Sequence, residues 1–125
     1  MPTLQALQDT AALYNRQVQE LTARIYEDGF VSCQEASEGT RYYQNVRPQM
    51  RRFHRLLRLR ILDLYFHHIP RNRTAANDVL QSYHIVLQDF DKLLNDSKVM
   101  LKIFADVLSD CPDLPIETEP EKDSE

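Results

Sequence analysis

Residues 74–108 read TAANDVLQSYHIVLQDFDKLLNDSKVMLKIFADVL. Ala76, Leu80, Tyr83, Leu87, Phe90, Leu94, Ser97, Leu101, Phe104 and Leu108 step by four and three. That spacing places them on one stripe of an α-helix. Beside them Val79, Val86, Leu93, Met100 and Val107 recur every seven residues, a heptad seam with a second apolar edge. With Thr74 as its cap, the pattern predicts a helix of about 35 residues, roughly 52 Å long at 1.5 Å per residue. So long a helix is stable only when packed along most of its length.

Upstream, Pro70-Arg71-Asn72-Arg73 ends a preceding helix read from Val46 to His68. Val46, Met50, Phe53, Leu57, Ile61 and Leu64 form its apolar stripe, widened by Leu56, Leu59 and Phe66. Arg51, Arg55 and Arg58 form a second stripe at i, i+4 and i+7. A first helix runs from about Thr3 to Glu27, with Leu4, Leu7, Ala11, Tyr14, Val18, Leu21 and Ile25 periodic, Thr3 as cap and Asp28-Gly29 as stop. Between these, Ser32 and Glu35 have the spacing of a capping box, while Gly39 weakens a continuous helix. The expected fold is therefore all-α: a bundle of three to four helices over residues 1–109, with one very long C-terminal heptad helix.

The 125 residues contain 2 glycines and no tryptophan. Tight hairpins and phosphate-cradling loops lean on glycine, so this count argues against a sandwich, a barrel or a Gly-rich nucleotide loop. No apolar run approaches a bilayer span, and the N-terminus lacks the basic and apolar regions of a signal peptide. An intracellular setting is the expectation. The net charge of -4 divides unevenly. Residues 110–125 hold seven acids, Lys122 and three prolines, and are read as a disordered acidic tail of charge -6 that leaves the body at about +2. Residues 39–62 hold seven arginines and no acid: Arg41, Arg47, Arg51, Arg52, Arg55, Arg58 and Arg60. Guanidinium forks suit carboxylates, phosphates and aromatic faces, so this skew points to a partner surface.

Signals for chemistry are sparse. His54, His67, His68 and His84 lack metal-ligand spacing and acidic neighbours in sequence, and read as structural or surface residues. Cys33 and Cys111 lie 78 apart without a CxxC, so free thiols are the expectation, with a disulfide in a secreted bundle as the alternative. Two glycosylation sequons, Asn72-Arg73-Thr74 and Asn95-Asp96-Ser97, read as chance matches. No nucleophile grouping, metal set or cofactor loop stands out. The chain reads as a non-enzyme without cofactor, membrane span or small-molecule substrate.

A long first helix, then Arg-Leu-Leu-Arg-Leu-Arg-Ile-Leu at 55–62, then a long helix with Tyr83 and Phe90, resembles the helical domain of GINS-complex subunits. GINS is the four-subunit component of the replicative helicase. The resemblance spans about residues 4–106, and no β domain follows here as it does in the subunits most similar. It implies a nuclear DNA-replication role in which Arg55, Leu56, Leu57, Arg58, Leu59, Arg60 and Leu62 pack against sister subunits. From periodicity alone, Arg51, Val86, Leu93, Leu94 and Met100 join them as partner-binding positions. The leading expectation is a non-catalytic helical subunit of a hetero-oligomer. One alternative is a nucleic-acid-binding module using Arg47, Arg51, Arg52, Arg55 and Arg58, with Tyr42, Tyr43 and Phe53 nearby for stacking. Another is a secreted helical-bundle ligand with a Cys33–Cys111 disulfide.

Overall fold

The computed structural model describes residues 2–27, 29–67 and 73–112. Three helices follow one another: α1 (Leu4–Ile25), α2 (Cys33–His67) and α3 (Arg73–Ser109). Among the described residues there is no strand, so the fold is all-α. α3 opens at Arg73, so Thr74 lies within the helix rather than capping it as expected; residues 68–72 and the acidic tail from residue 113 lie outside what is described.

Each visible boundary has a local cause. Thr3 sits in extended backbone, and its hydroxyl accepts the Ala6 N–H at 3.0 Å. Past Ile25 the chain turns at Tyr26, and Gly29 takes φ +84°, a left-handed conformation that costs glycine little. The capping box forms as its spacing suggests. The Glu35 N–H donates to Ser32 Oγ at 3.1 Å, and the Ser32 N–H donates back to Glu35 Oε1 at 3.0 Å.

One boundary expected from sequence is absent. Residues 30–45 and 46–68 do not form separate elements; Cys33–His67 is one helix containing both Gly39 and Pro48. Gly39 is required there by packing, because a Cβ at that position would overlap the ring of Phe104 on α3. Contact with that buried ring offsets the helix penalty of glycine. Pro48 is exposed, so the carbonyl it leaves without a donor faces water.

α2 and α3 form an antiparallel hairpin that supplies most of the contacts between elements. Phe53 stacks on Phe90 with centroids 5.8 Å apart, and Tyr43 lies 6.3 Å from Phe104. Beyond these pairs, Cys33 at the start of α2 is bridged to Cys111 just past α3, with the Cα atoms 6.0 Å apart. The expectation of free thiols is thereby corrected. Cys33 and Cys111 are remote in sequence but become neighbours once the hairpin sets its register.

α1 packs along this hairpin. Arg24 pairs with Glu38 at 3.7 Å, the Tyr14 hydroxyl donates to Gln49 at 2.7 Å, and the Tyr42 hydroxyl donates to Gln17 at 2.9 Å. These contacts run α1 antiparallel to α2 and place Leu4 at about the level of residue 59. The core is accordingly continuous from Leu7, Ala11, Tyr14, Leu21 and Ile25 through Tyr43, Met50 and Leu57 to Val86, Phe90, Leu93 and Phe104. α1 has 22 residues against 35 and 37 in its neighbours. The last turns of α2, from about residue 59 to His67, therefore project beyond it by roughly 12 Å, with the first turns of α3 beside them.

Candidate interaction face

Several of the large apolar residues left in water lie at or near that overhang. Leu59, Leu62, Tyr65 and Phe66 are between 51% and 66% exposed, and Val79 opposite them on α3 is 43% exposed. Leu59, Leu62 and Phe66 stand at i, i+3 and i+7, one stripe of α2. Val79 occupies a heptad position whose equivalents Val86 and Leu93 are buried further along. It is exposed because no third helix reaches its level.

One turn back toward the bridge, the same outward side of α2 becomes basic. Arg51, Arg52, Arg55 and Arg58, with Pro48 and His54, line a shallow depression of about 440 Å³. The four arginines are exposed and meet no carboxylate among the described residues. Ion pairing within the body occurs elsewhere. His54 Nε2 lies 2.5 Å from Asp91 Oδ1, tying α2 to α3, and Lys92 pairs with Asp96 along α3 at 2.7 Å. Arg60 donates to Asp63 at 3.1 Å, and its pKa is raised by the Tyr83 hydroxyl first and Asp63 second. Arg60 thus serves the hairpin, while Arg51, Arg52, Arg55 and Arg58 have no carboxylate partner among the described residues.

The partner positions expected from sequence are divided by the fold. Arg51, Arg55, Arg58, Leu59 and Leu62 face outward, and Leu56, Leu94 and Met100 are half-buried. Leu57, Val86 and Leu93 are buried and pack the chain's own core. Their apolar spacing is equally compatible with an inner and an outer stripe, and only the hairpin register separates the two. A charge at Leu57 would accordingly disrupt the fold before it disrupted any interface. Tyr65 and Val79 were missed as surface residues, because their exposure follows from the shortness of α1.

The aromatic residues considered for base stacking are used internally. Tyr43 is fully buried, Phe53 is stacked on Phe90, and Tyr42 is half-buried with its hydroxyl on Gln17. Arg47 is half-buried, with an Nε that has no hydrogen-bond partner among the described residues. His54 has the acidic neighbour that its local sequence lacks, contributed by Asp91. His84 is exposed; His68 and the side chain of His67 lie outside the described residues. Among the described residues, no three His, Cys, Asp or Glu side chains come together in a group that could hold a metal ion. No described helix is long and apolar enough to cross a membrane. No family model, curated protein or solved structure matches the chain.

Proposed function

We propose that the chain is a non-catalytic helical-bundle ligand of an oxidising, extracytosolic compartment, acting through the overhanging end of its α2–α3 hairpin on a protein partner. The Cys33–Cys111 bridge carries this proposal. Disulfides persist in secreted proteins and are rare where the cell keeps its thiols reduced. The bridge closes one end of the hairpin, and Leu59, Leu62, Tyr65, Phe66 and Val79 lie toward the other. In this proposal the long C-terminal heptad helix is the rigid spine that holds the two ends about 50 Å apart. The partner supplies an apolar surface for Leu62 and Phe66. A GINS-like subunit of a replication complex would share the non-catalytic, face-presenting mode. It ranks second because a nuclear chain keeps Cys33 and Cys111 reduced.

Two measurements test this proposal. Chain isolated from its source cells without reductant, then denatured, should show no titratable thiol; two titratable thiols overturn the compartment assignment. Labelled chain should bind intact cells saturably. The double substitution Leu62→Asp/Phe66→Asp should abolish that binding while leaving the far-ultraviolet circular dichroism unchanged, since both side chains already face water. Undiminished binding by the double variant overturns the contact face.

A further inference from the structure

The arginine turns of α2 form a charged surface distinct from the apolar overhang. We infer that Arg51, Arg52, Arg55 and Arg58 form a binding site for a sulfated polysaccharide. Arg51, Arg55 and Arg58 fall within about 60° of one another around the helix, over roughly 10 Å of its length. Arg52 flanks them across the shallow depression that Pro48 and His54 complete. None of the four has a carboxylate partner among the described residues, although paired acids lie nearby on Asp63 and Asp91. A row of exposed guanidinium forks suits a ligand with repeated tetrahedral anions, because each fork can donate two parallel hydrogen bonds to one group.

The rest of this surface selects among polyanions. Single-stranded nucleic acid gains much of its affinity from bases stacked on exposed aromatic rings. Here Tyr43 is buried, Phe53 is engaged by Phe90 and Tyr42 is held by Gln17, so the face offers charge without a stacking platform. Its complement is a polyanion recognised through its acidic groups alone. The choice of a sulfated sugar over a nucleic acid further rests on the extracytosolic reading above, since that compartment is where such polysaccharides are met.

The test uses the full, bridged chain on immobilised heparin. Retention is expected at about 0.1 M salt, with log affinity falling steeply against log salt, a slope on the order of -3 for four displaced counterions. Arg51→Glu/Arg55→Glu/Arg58→Glu should remove retention. A charge-matched control, Arg16→Glu/Lys98→Glu/Lys102→Glu, reverses three exposed cations elsewhere and should keep most of it. Circular dichroism on both variants establishes that they fold. No retention of the parent chain at about 0.05 M salt, equal loss in both variants, or tighter binding to DNA than to heparin would each overturn the inference. Thiol titration separates this outcome from the preceding proposal. A chain with two free thiols that still binds heparin through these arginines fails only the compartment assignment. A bridged chain that ignores heparin fails only the polysaccharide site.

Discussion

At the scale of single residues, Gly39 and Tyr43 show packing overriding local preference. Alanine in place of a helical glycine ordinarily stabilises by up to about 1 kcal/mol. At position 39 the added methyl would meet the Phe104 ring inside a filled core, and overpacking of that kind costs about 1–3 kcal/mol. Gly39→Ala should therefore lower the urea midpoint, with part of the loss recovered when Phe104→Leu is added. A midpoint raised by Gly39→Ala alone would remove Phe104 as the reason for glycine. Tyr43 is fully buried, and its hydroxyl has no partner among the described residues. Burial pushes the Tyr43 hydroxyl up to about 12, with Tyr42 and Asp96 adding to it; burial, then Tyr14, does the same for Tyr42. Both pKa values are raised above the unfolded value of 10.0, so the folded chain keeps protons that the unfolded chain releases. That contribution to stability is intact below pH 10 and is lost as pH rises from 10 toward about 12. Urea midpoints measured briefly at pH 9, 10, 11 and 12 should be steady and then fall, and Tyr43→Phe should flatten the fall. An unchanged slope in Tyr43→Phe would show that this hydroxyl is not the group responsible.

Among the elements, α1 depends on the other two. The α2–α3 hairpin contributes most of the inter-element contacts, and α1 meets α3 more than α2. Beyond its apolar stripe, α1 is held to α2 by Tyr14 on Gln49, Gln17 on Tyr42 and the exposed Arg24–Glu38 pair. An exposed pair adds little. In native-state hydrogen exchange, α1 amides should open together at lower free energy than those around Met50, Leu57 and Phe90, and Gln49→Ala should widen the gap. Equal protection across all three helices would show that the bundle opens only as a whole. The limits of sequence reading follow the same division. Thr3, the Ser32–Glu35 box and the four-three spacing of 74–108 act within one or two turns, and they were legible. The continuity of α2 through Gly39 was not, because its cause is a ring 65 positions away. The separation of Leu57 and Val86 from Leu59 and Leu62 was not legible either, since both sets have helical spacing. It took the register of the α2–α3 hairpin to show which side faced water, and the shortness of α1 to show which end lacked cover.

For the whole molecule, the bridge decides how the hairpin holds together. Cys33 and Cys111 close a loop of 78 residues, and they do so where α1's C-terminal end, the start of α2 and the end of α3 converge. In the chain-entropy account, a closed loop of that length restricts the unfolded chain enough to stabilise the fold by roughly 4 kcal/mol. The overhang at the other end has no such tie, and its exposed side chains Leu62, Tyr65 and Phe66 add little burial. Stability is therefore graded along the hairpin, from the bridged end to the apolar end. Cys33→Ser/Cys111→Ser should lower the free energy of unfolding by about 3–4 kcal/mol, with the three helices still formed in circular dichroism at low temperature. The loss should concentrate near residues 33–40 and 104–111, where hydrogen exchange should accelerate most, while the overhang changes little. A double serine variant as stable as the parent would mean that the bridge does not constrain this fold. Acceleration spread evenly to the overhang would mean that the hairpin behaves as one cooperative unit, and the apolar end could then not rearrange on a partner independently of the core.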